Sequence, residues 1–436
     1  MRRRDFLKLA TKSAAGLAVA PFIIPSSAFG RIGPSNRLTM GIIGVGSQGS
    51  SHLKTLVNDV HVQIVAVCDV DGERRDKAKE LVEATYASRA PSGSYKGCAA
   101  LSDFRELLAR PDIDAVLIAV PDHWHALPVI YAARAGKDIY AEKPLSLTIP
   151  EGQAMVRAVE ESGVVCQIGS QQRSSPEFQR CVELARNGFL GKLTRVTVGL
   201  PPGAGPVSTE PLSPQAVPPT FDYDMWLGPA QPAPYFKQRC HWDFRWIYDY
   251  SGGQLTDWIG HHFDIGVWGA GVSHTGPIAI KNASAEFAKG PLYNTAMRYS
   301  FEAHYANGLV VDVSSKNRDG VEFIGTEGSC WAARGKSDFS SPLLRTVPIP
   351  STGWRIPDRT TSHRQNFFDC IVSRQTPRCP IQEAHRVVSV AHLANLAFRT
   401  GRSELQWDPD QQKVVNAPEV EQLMTRAYRG PWQLPC

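Results

Sequence analysis

Short apolar runs alternate with charged, helix-periodic stretches through the first third of the chain. Leu38 to Ile43, Val62 to Cys68 and Ala115 to Val120 are apolar runs of strand length, and Asp138 to Ala141 is a fourth. Between and after them, Arg74 to Thr85, Leu127 to Ala135 and Ile149 to Ser162 carry apolar positions at helical spacing. Gly136 and Gly163 stop the last two, as glycine does at helix ends. Uniformly apolar strands separated by helices indicate a parallel sheet covered on both faces. Residues from about 36 to 165 are therefore predicted to form a doubly wound α/β domain.

Beyond Gly188 the texture changes. Leu193 to Val198, Ala296 to Tyr305 and Leu309 to Ser314 alternate apolar and polar positions. That pattern suits antiparallel strands with one buried and one wet face, so residues 166–436 are predicted to form an α+β domain on an open, mainly antiparallel sheet. Residues 201–234 are rich in proline and poor in apolar runs, which predicts an ordered arm or long loop. Helical periodicity returns from His363 to Arg399, and no internal repeat is present.

The length of 436 residues exceeds one ordinary core and fits two units at about 100 to 200 residues each. Residues 1–30 follow a different rule: Arg2-Arg3-Arg4-Asp5-Phe6-Leu7-Lys8 precedes the apolar run Ala14 to Ile24 and small residues near Ala28. The paired arginines resemble a twin-arginine export signal, which predicts an exported, periplasmic protein and the twin-arginine machinery as a partner. The run is too short, and too interrupted by Pro21 and Pro25, for a membrane anchor. The segment carries five bases and one acid, so a chain of net charge +5 becomes nearly neutral without it. No basic run with interleaved aromatics remains, which leaves nucleic-acid binding unsupported. Nine scattered cysteines without CxxC spacing signal neither zinc nor a disulfide framework. Folding before export would leave most of them as buried thiols.

The first chemical motif follows the first strand. Gly44-Val45-Gly46-Ser47-Gln48-Gly49 has the G-x-G-x-x-G spacing of a Rossmann dinucleotide loop, in which glycines admit the pyrophosphate to a helix N-terminus. Asp69 lies twenty residues beyond Gly49, where a carboxylate accepts hydrogen bonds from the adenine ribose. That acid would repel a 2′-phosphate, and Val70 supplies no compensating base. NAD is thus favoured over NADP, with Arg74 and Arg75 the only nearby counterargument.

Two further motifs are Glu142-Lys143-Pro144, after the fourth apolar run, and Gly252-Gly253-Gln254-Leu255-Thr256-Asp257-Trp258-Ile259-Gly260-His261-His262-Phe263-Asp264. With the Gly loop, Asp69 and the turn Pro121-Asp122-His123-Trp124-His125, they resemble the glucose-fructose oxidoreductase, inositol dehydrogenase and MocA family over nearly the whole chain after residue 30. The resemblance implies a catalytic set of Lys143, Asp257 and His261, and a sheet domain that often makes oligomer contacts, here a dimer or tetramer. It also places Pro121, His125, Glu142 and Gln171 beside the cofactor, and Arg173 and Arg245 beside the substrate.

The spacing has its own logic. On one helix, Asp257, His261 and Asp264 would share a face, with His262 about a quarter turn away. Such a trio also admits a metal-site reading, which the upstream lysine disfavours. Oxidation of an alcohol needs a base for the hydroxyl proton, and imidazole titrates in the useful range, so His261 is expected to act as base. Asp257 would orient or share the proton, while Lys143 would hold the oxygen and stabilise alkoxide charge. Trp242, Trp246 and Tyr248, in the aromatic segment 240–250, are candidate sugar platforms or simple core. Two departures from the family stand out: Asp122 replaces a common Asn, and the arm 201–234 is long.

These readings converge on an exported NAD-dependent oxidoreductase acting on a secondary hydroxyl of a sugar, glycoside or cyclitol. Scarcity of free NAD outside the cytosol implies a tightly bound cofactor recycled by two substrates. The same parts also permit a glycosidase that works by transient oxidation and elimination. A non-catalytic sugar or nucleotide sensor is the third reading, disfavoured by the intact Lys143, Asp257 and His261.

Overall fold

The computed structural model describes residues 37–89, 97–204, 213–357 and 362–435. The proposed export segment, residues 1–30, lies outside them. Six parallel strands form the first sheet: β1 (Leu38–Ile43), β2 (Val62–Cys68), β3 (Ala99–Leu101), β4 (Ala115–Ile118), β5 (Asp138–Ala141) and β6 (Cys166–Ile168). Their spatial order, β3-β2-β1-β4-β5-β6, reverses between β1 and β4, where doubly wound sheets open their ligand crevice. Side chains alternate across the sheet. Ala115 and Leu117 join one apolar cluster, and Val116 and Ile118 join the other. That arrangement explains why the strands read as continuous apolar runs.

Sequence periodicity located β1, β2 and β5 to the residue, but β4 ends at Ile118 rather than Val120. The helix Ile149–Ser162 has the expected limits because Thr148 and Glu151 form a capping box and Gly163 closes it at φ 63°. β6 extends the parallel sheet three residues beyond the expected limit of 165.

The second sheet holds nine strands: β7 (Leu193–Gly199), β8 (Ala279–Phe287), β9 (Ala296–His304), β10 (Val310–Ser314), β11 (Gly320–Gly325), β12 (Ser329–Ala333), β13 (Lys336–Phe339), β14 (Leu405–Asp408) and β15 (Lys413–Val414). All its pairings are antiparallel except β7 with β10. One face buries Val196, Val198, Phe301, Val311 and Phe323 against helices. The other is polar, with Arg195 2.9 Å from Glu302 and 3.5 Å from Asp312.

The stretch expected to be helical from His363 to Arg399 is two helices, His363–Ser373 and Ile381–Thr400, parted where Arg374 takes φ 57°. Both return to the first domain. Phe367 and Phe368 pack with Met40 and Tyr140, whereas Ile381 and Val388 join the opposite cluster beside Ile139 and Met155. Val387, Val390 and Leu393, on the same helix, pack under the second sheet. The long helix thus belongs to both cores. Among the described residues no helix is long and apolar enough to cross a membrane, and the eight described cysteines are buried free thiols.

Candidate active site

A cleft of about 1350 Å³, its open mouth included, runs from the Gly loop to Lys143 and Asp257. The loop leaves β1 with Gly44 at φ 84°, where a Cβ would lie 2.4 Å from the Ala119 carbonyl oxygen. A Cβ on Gly49 would stand 1.9 Å from the Gly44 oxygen, so the helix Ser47–Leu56 can approach the strand only because that position is bare. Gly44, Gly46, Ser47 and Gln48 line the cleft, and the helix N-terminus opens beside it. Val45 is buried and acts through its backbone N–H, which donates to Asp69 Oδ2 at 2.8 Å. This is a cradle for a pyrophosphate, and the residues present fit a dinucleotide.

Asp69 also accepts from the Asp71 N–H through Oδ1 at 2.9 Å, so its carboxylate joins the end of β2 to the loop while lining the cleft. The arm closes this end of its own chain's cleft. Phe221 bridges Asp71 in antiparallel fashion, Gly72 N donates to Thr220 O at 2.8 Å, and Asp222 N donates to Val70 O at 3.0 Å. Phe221, Met225 and Trp226 then form a wall facing the Gly loop. The residues 213–234 are held by an apolar cluster that includes Phe221, Trp226, Tyr235, Phe244 and Tyr250.

At the opposite end, Lys143 Nζ donates to Asp257 Oδ1 at 2.8 Å, and Arg245 Nε stands 3.7 Å from the same oxygen. Burial alone would raise the Asp257 carboxyl, but these two cations outweigh it and hold it below the ordinary range. Beneath the lysine, Glu142 Oε1 accepts from Gln171 at 2.8 Å and Gln48 at 3.1 Å, and lies 2.6 Å from His52 Nε2. Burial opposes ionisation of Glu142, yet the His52, Lys143 and Gln48 contacts bring it down to about 2. Gln171 therefore acts from behind Glu142, bonded also to Tyr140, and does not line the cleft. Nothing in the sequence marked His52, which lies mid-helix and meets Glu142 only in three dimensions.

The expected single helix carrying Asp257, His261 and Asp264 is absent. Helix Gly253–Ile259 ends at Gly260, His261 takes φ −112° and ψ −82°, and a second helix runs from His262 to Gly269. The kink sends Asp264 away from Asp257. It binds Arg173 through two contacts of 2.6 and 2.7 Å and accepts from Ser170 Oγ at 2.6 Å. The three residues thus do not converge on a metal. His261 is buried beside Trp258, at 5.6 Å between ring centres, and does not line the cleft. Its Nδ1 has no hydrogen-bond partner, and burial, then the charges of Lys143 and Arg334, push its pKa well below the ordinary value.

Other expected positions separate in the same way. Pro121, Trp242 and Arg245 line the cleft, with the Arg245 guanidinium 4.3 Å from the Trp242 ring centre. Trp246 is core, and Tyr248 lies under Arg399 at 3.9 Å, outside the cleft. His125 is buried and donates from Nε2 to Val120 O at 2.9 Å, so it shapes the turn without lining the cleft. Arg173, expected at the substrate, is 1% exposed and committed to Asp264, Glu383 and Arg378 O. Asp122 moves the other way. It lines the cleft, is 5% exposed, and its Oδ2 has no hydrogen-bond partner. Burial, reinforced by the charge of Asp257, pushes its carboxyl up to about 7 against the pull of Ser251, Arg245 and Lys143.

Comparison with known proteins gives two family matches: the oxidoreductase family's NAD-binding Rossmann fold over residues 38–170, and its C-terminal alpha/beta domain over residues 179–434. An uncharacterized oxidoreductase, YrbE, of Bacillus subtilis is 31% identical over 157 residues, 36% of this chain and 42% of its own. A glycosyl hydrolase family 109 protein of Shewanella pealeana is 30% identical over 206 residues, 44% of each chain. The chain therefore spans less than half the length of these curated relatives. The aldose-aldose oxidoreductase of Caulobacter crescentus, solved with glycerol, superposes with a TM-score of 0.60 at 18% identity, covering 85% of this chain and 99% of that one. At that identity the likeness is one of fold.

Proposed function

The chain belongs to the glucose-fructose oxidoreductase, inositol dehydrogenase and MocA oxidoreductase family, and from that premise we propose that it moves hydride between a secondary hydroxyl of a sugar, glycoside or cyclitol and NAD. The observation that carries this reading is the Lys143–Asp257 ion pair at 2.8 Å, in the cleft whose other end is the dinucleotide loop. The dinucleotide supplies the hydride acceptor when bound. The loop 44–49 and the helix after it would hold its pyrophosphate, and Asp69 its ribose. Lys143 holds the substrate oxygen and stabilises negative charge there, with Asp257 fixing the ammonium. Trp242, 59% exposed at the cleft, offers a flat apolar face to a sugar ring, and Arg245 offers donors to its hydroxyls.

Export through the twin-arginine route and a cofactor retained through repeated cycles belong to the same proposal. The arm's backbone bonds to residues 70–72 support retention, because they hold the wall of Phe221, Met225 and Trp226 against the loop end of the cleft. The experiment is a nucleotide assay on protein purified from its own compartment. A panel of sugars, cyclitols and glycosides, followed at the reduced-nicotinamide absorbance, completes it. Lys143→Ala should keep the nucleotide and lose turnover by at least about 10²-fold. Near-wild-type turnover in that variant, or a protein without nucleotide that binds none, refutes the reading.

The likeness to a glycosyl hydrolase family 109 protein favours a second reading, in which transient oxidation permits elimination of a glycosidic substituent and ends in net hydrolysis. Release of free aglycone without accumulation of a keto-sugar would select it.

A further inference from the structure

Three groups around Lys143 are candidates for taking the hydroxyl proton in the reaction proposed above, and their surroundings differ. Asp257 already accepts Lys143 at 2.8 Å and faces Arg245 at 3.7 Å. Two cations hold it as a carboxylate, which makes it a weak proton acceptor and a good anchor for the ammonium. His261 does not line the cleft, and burial with Lys143 and Arg334 nearby opposes an imidazolium. Asp122 lines the cleft with Lys143, Arg245 and Asp257, and it alone of the three combines a place on the cleft with a buried carboxylate oxygen that has no partner.

We propose that Asp122 is the proton-accepting catalytic residue, its carboxylate receiving the substrate's hydroxyl proton while Lys143 holds the hydroxyl oxygen. The inference rests on the hydroxyl oxidation proposed above. In that step the O–H bond breaks and its proton goes to the Asp122 carboxylate. The O–H electron pair becomes the second carbon–oxygen bond, and the C–H bond leaves as hydride for the oxidised nicotinamide dinucleotide. The carbinol carbon is oxidised and the dinucleotide reduced. In the reverse direction the carboxyl returns the proton.

The groups facing Asp122 suit this exchange. Ser251, Arg245 and Lys143 favour its charged form, and burial and the like charge of Asp257 favour the neutral one. The result is a carboxyl that gains and loses a proton near neutrality, where a general base works best. Its own turn contributes little competition. His123 Nε2 and Trp124 Nε1 both donate to Trp226 O at 2.9 Å, and His125 donates to Val120 O. Arg426, from the C-terminal tail, donates to His123 O at 2.6 Å and is paired with Glu151.

The test uses the purified holoenzyme and the variants Asp122→Asn, Asp122→Glu and His261→Asn. Asp122→Asn should lower kcat by about 10²–10⁴-fold with nucleotide content and KM little changed, and Asp122→Glu should restore part of the rate with a displaced pH profile. Independently of turnover, infrared spectroscopy of the wild type should show a buried carboxyl band that titrates near neutrality and is missing in Asp122→Asn. Should Asp122→Asn fail to fold, the wild-type titration and the Asp122→Glu profile decide instead. Wild-type activity on the hydroxyl panel, with Asp122→Asn near wild-type rate and His261→Asn inactive, overturns the proposal and leaves the function standing. A wild type that oxidises no hydroxyl on the panel, with nucleotide bound, overturns both.

Discussion

Arg173 gives the sharpest separation between a substrate contact and a strut. Its guanidinium makes two bonds to Asp264, a third to Glu383 and a fourth to Arg378 O, and both Arg173 and Asp264 side chains are 1% exposed. Arg173→Met leaves the Asp264 carboxylate in that interior with Ser170 Oγ as its remaining side-chain donor. Breaking a buried pair from one side costs about 3–5 kcal/mol. At roughly 2–4 °C per kcal/mol for a domain of about 150–250 residues, the melting midpoint should fall by about 6–20 °C. The double variant Arg173→Met/Asp264→Leu should recover most of that loss, because the charge left behind is removed with its partner. Calorimetry on the holoenzyme measures the midpoints, and steady-state kinetics well below them measures KM, which should stay within about twofold. A substrate contact predicts the reverse: an unchanged midpoint with KM raised about tenfold or more, as loss of a charged hydrogen bond of about 1.5–3 kcal/mol requires. Kinetics of that form would refute the strut.

Two other outcomes follow from burial and close approach. Burial lowers His123 to about 3 and His363, His385 and His392 to about 4, below the ordinary value of 6.5. These rings are neutral in both states above about pH 6.5, and below it only the unfolded chain takes up protons, so stability falls as pH drops. The four together approach a slope of roughly 5 kcal/mol per pH unit near pH 5; the raised carboxyls of Asp122, Asp69 and Asp243 oppose it by at most about 1.4 kcal/mol per pH unit each, while the lowered His125, His261 and His262 add to it. Urea midpoints measured from neutrality to about pH 5 should fall steeply, and a flat series would contradict these burials. Gly49→Ala places a Cβ 1.9 Å from the Gly44 oxygen and must push the loop off the helix. It should cost about 1–3 kcal/mol and empty the nucleotide site, and purified variant with full nucleotide content would disprove the cradle.

The elements legible in the sequence are those whose limits are set locally. β1, β2, β5 and the helix Ile149–Ser162 have apolar runs or caps contained in a few consecutive residues. β3 and β6 are three residues each and exist because a neighbouring strand supplies their hydrogen bonds, which no window of that length announces. The tail helices were visible as periodicity, but not their return to the first core, since Phe367 and Ile381 look apolar in any context.

The same division runs through the site. The Gly loop, Asp69 and Lys143 are recognisable because their chemistry depends on neighbours in sequence. The 257–264 stretch misleads because an i, i+4 argument assumes a continuous helix, and the turn at Gly260 and His261 breaks it. Gly260 itself was the available warning, since a Cβ there would stand 3.3 Å from Lys143 Cβ: the bare position lets the lysine stem pass close to the kink. Asp122 was visible as a departure from the family pattern, yet its significance lies in what surrounds it. A carboxylate becomes a base only when burial and like charge offset its cations, and Lys143 from one stretch of chain and Arg245, Ser251 and Asp257 from another set that balance. Site chemistry that depends on such a balance becomes readable only once the chain has folded.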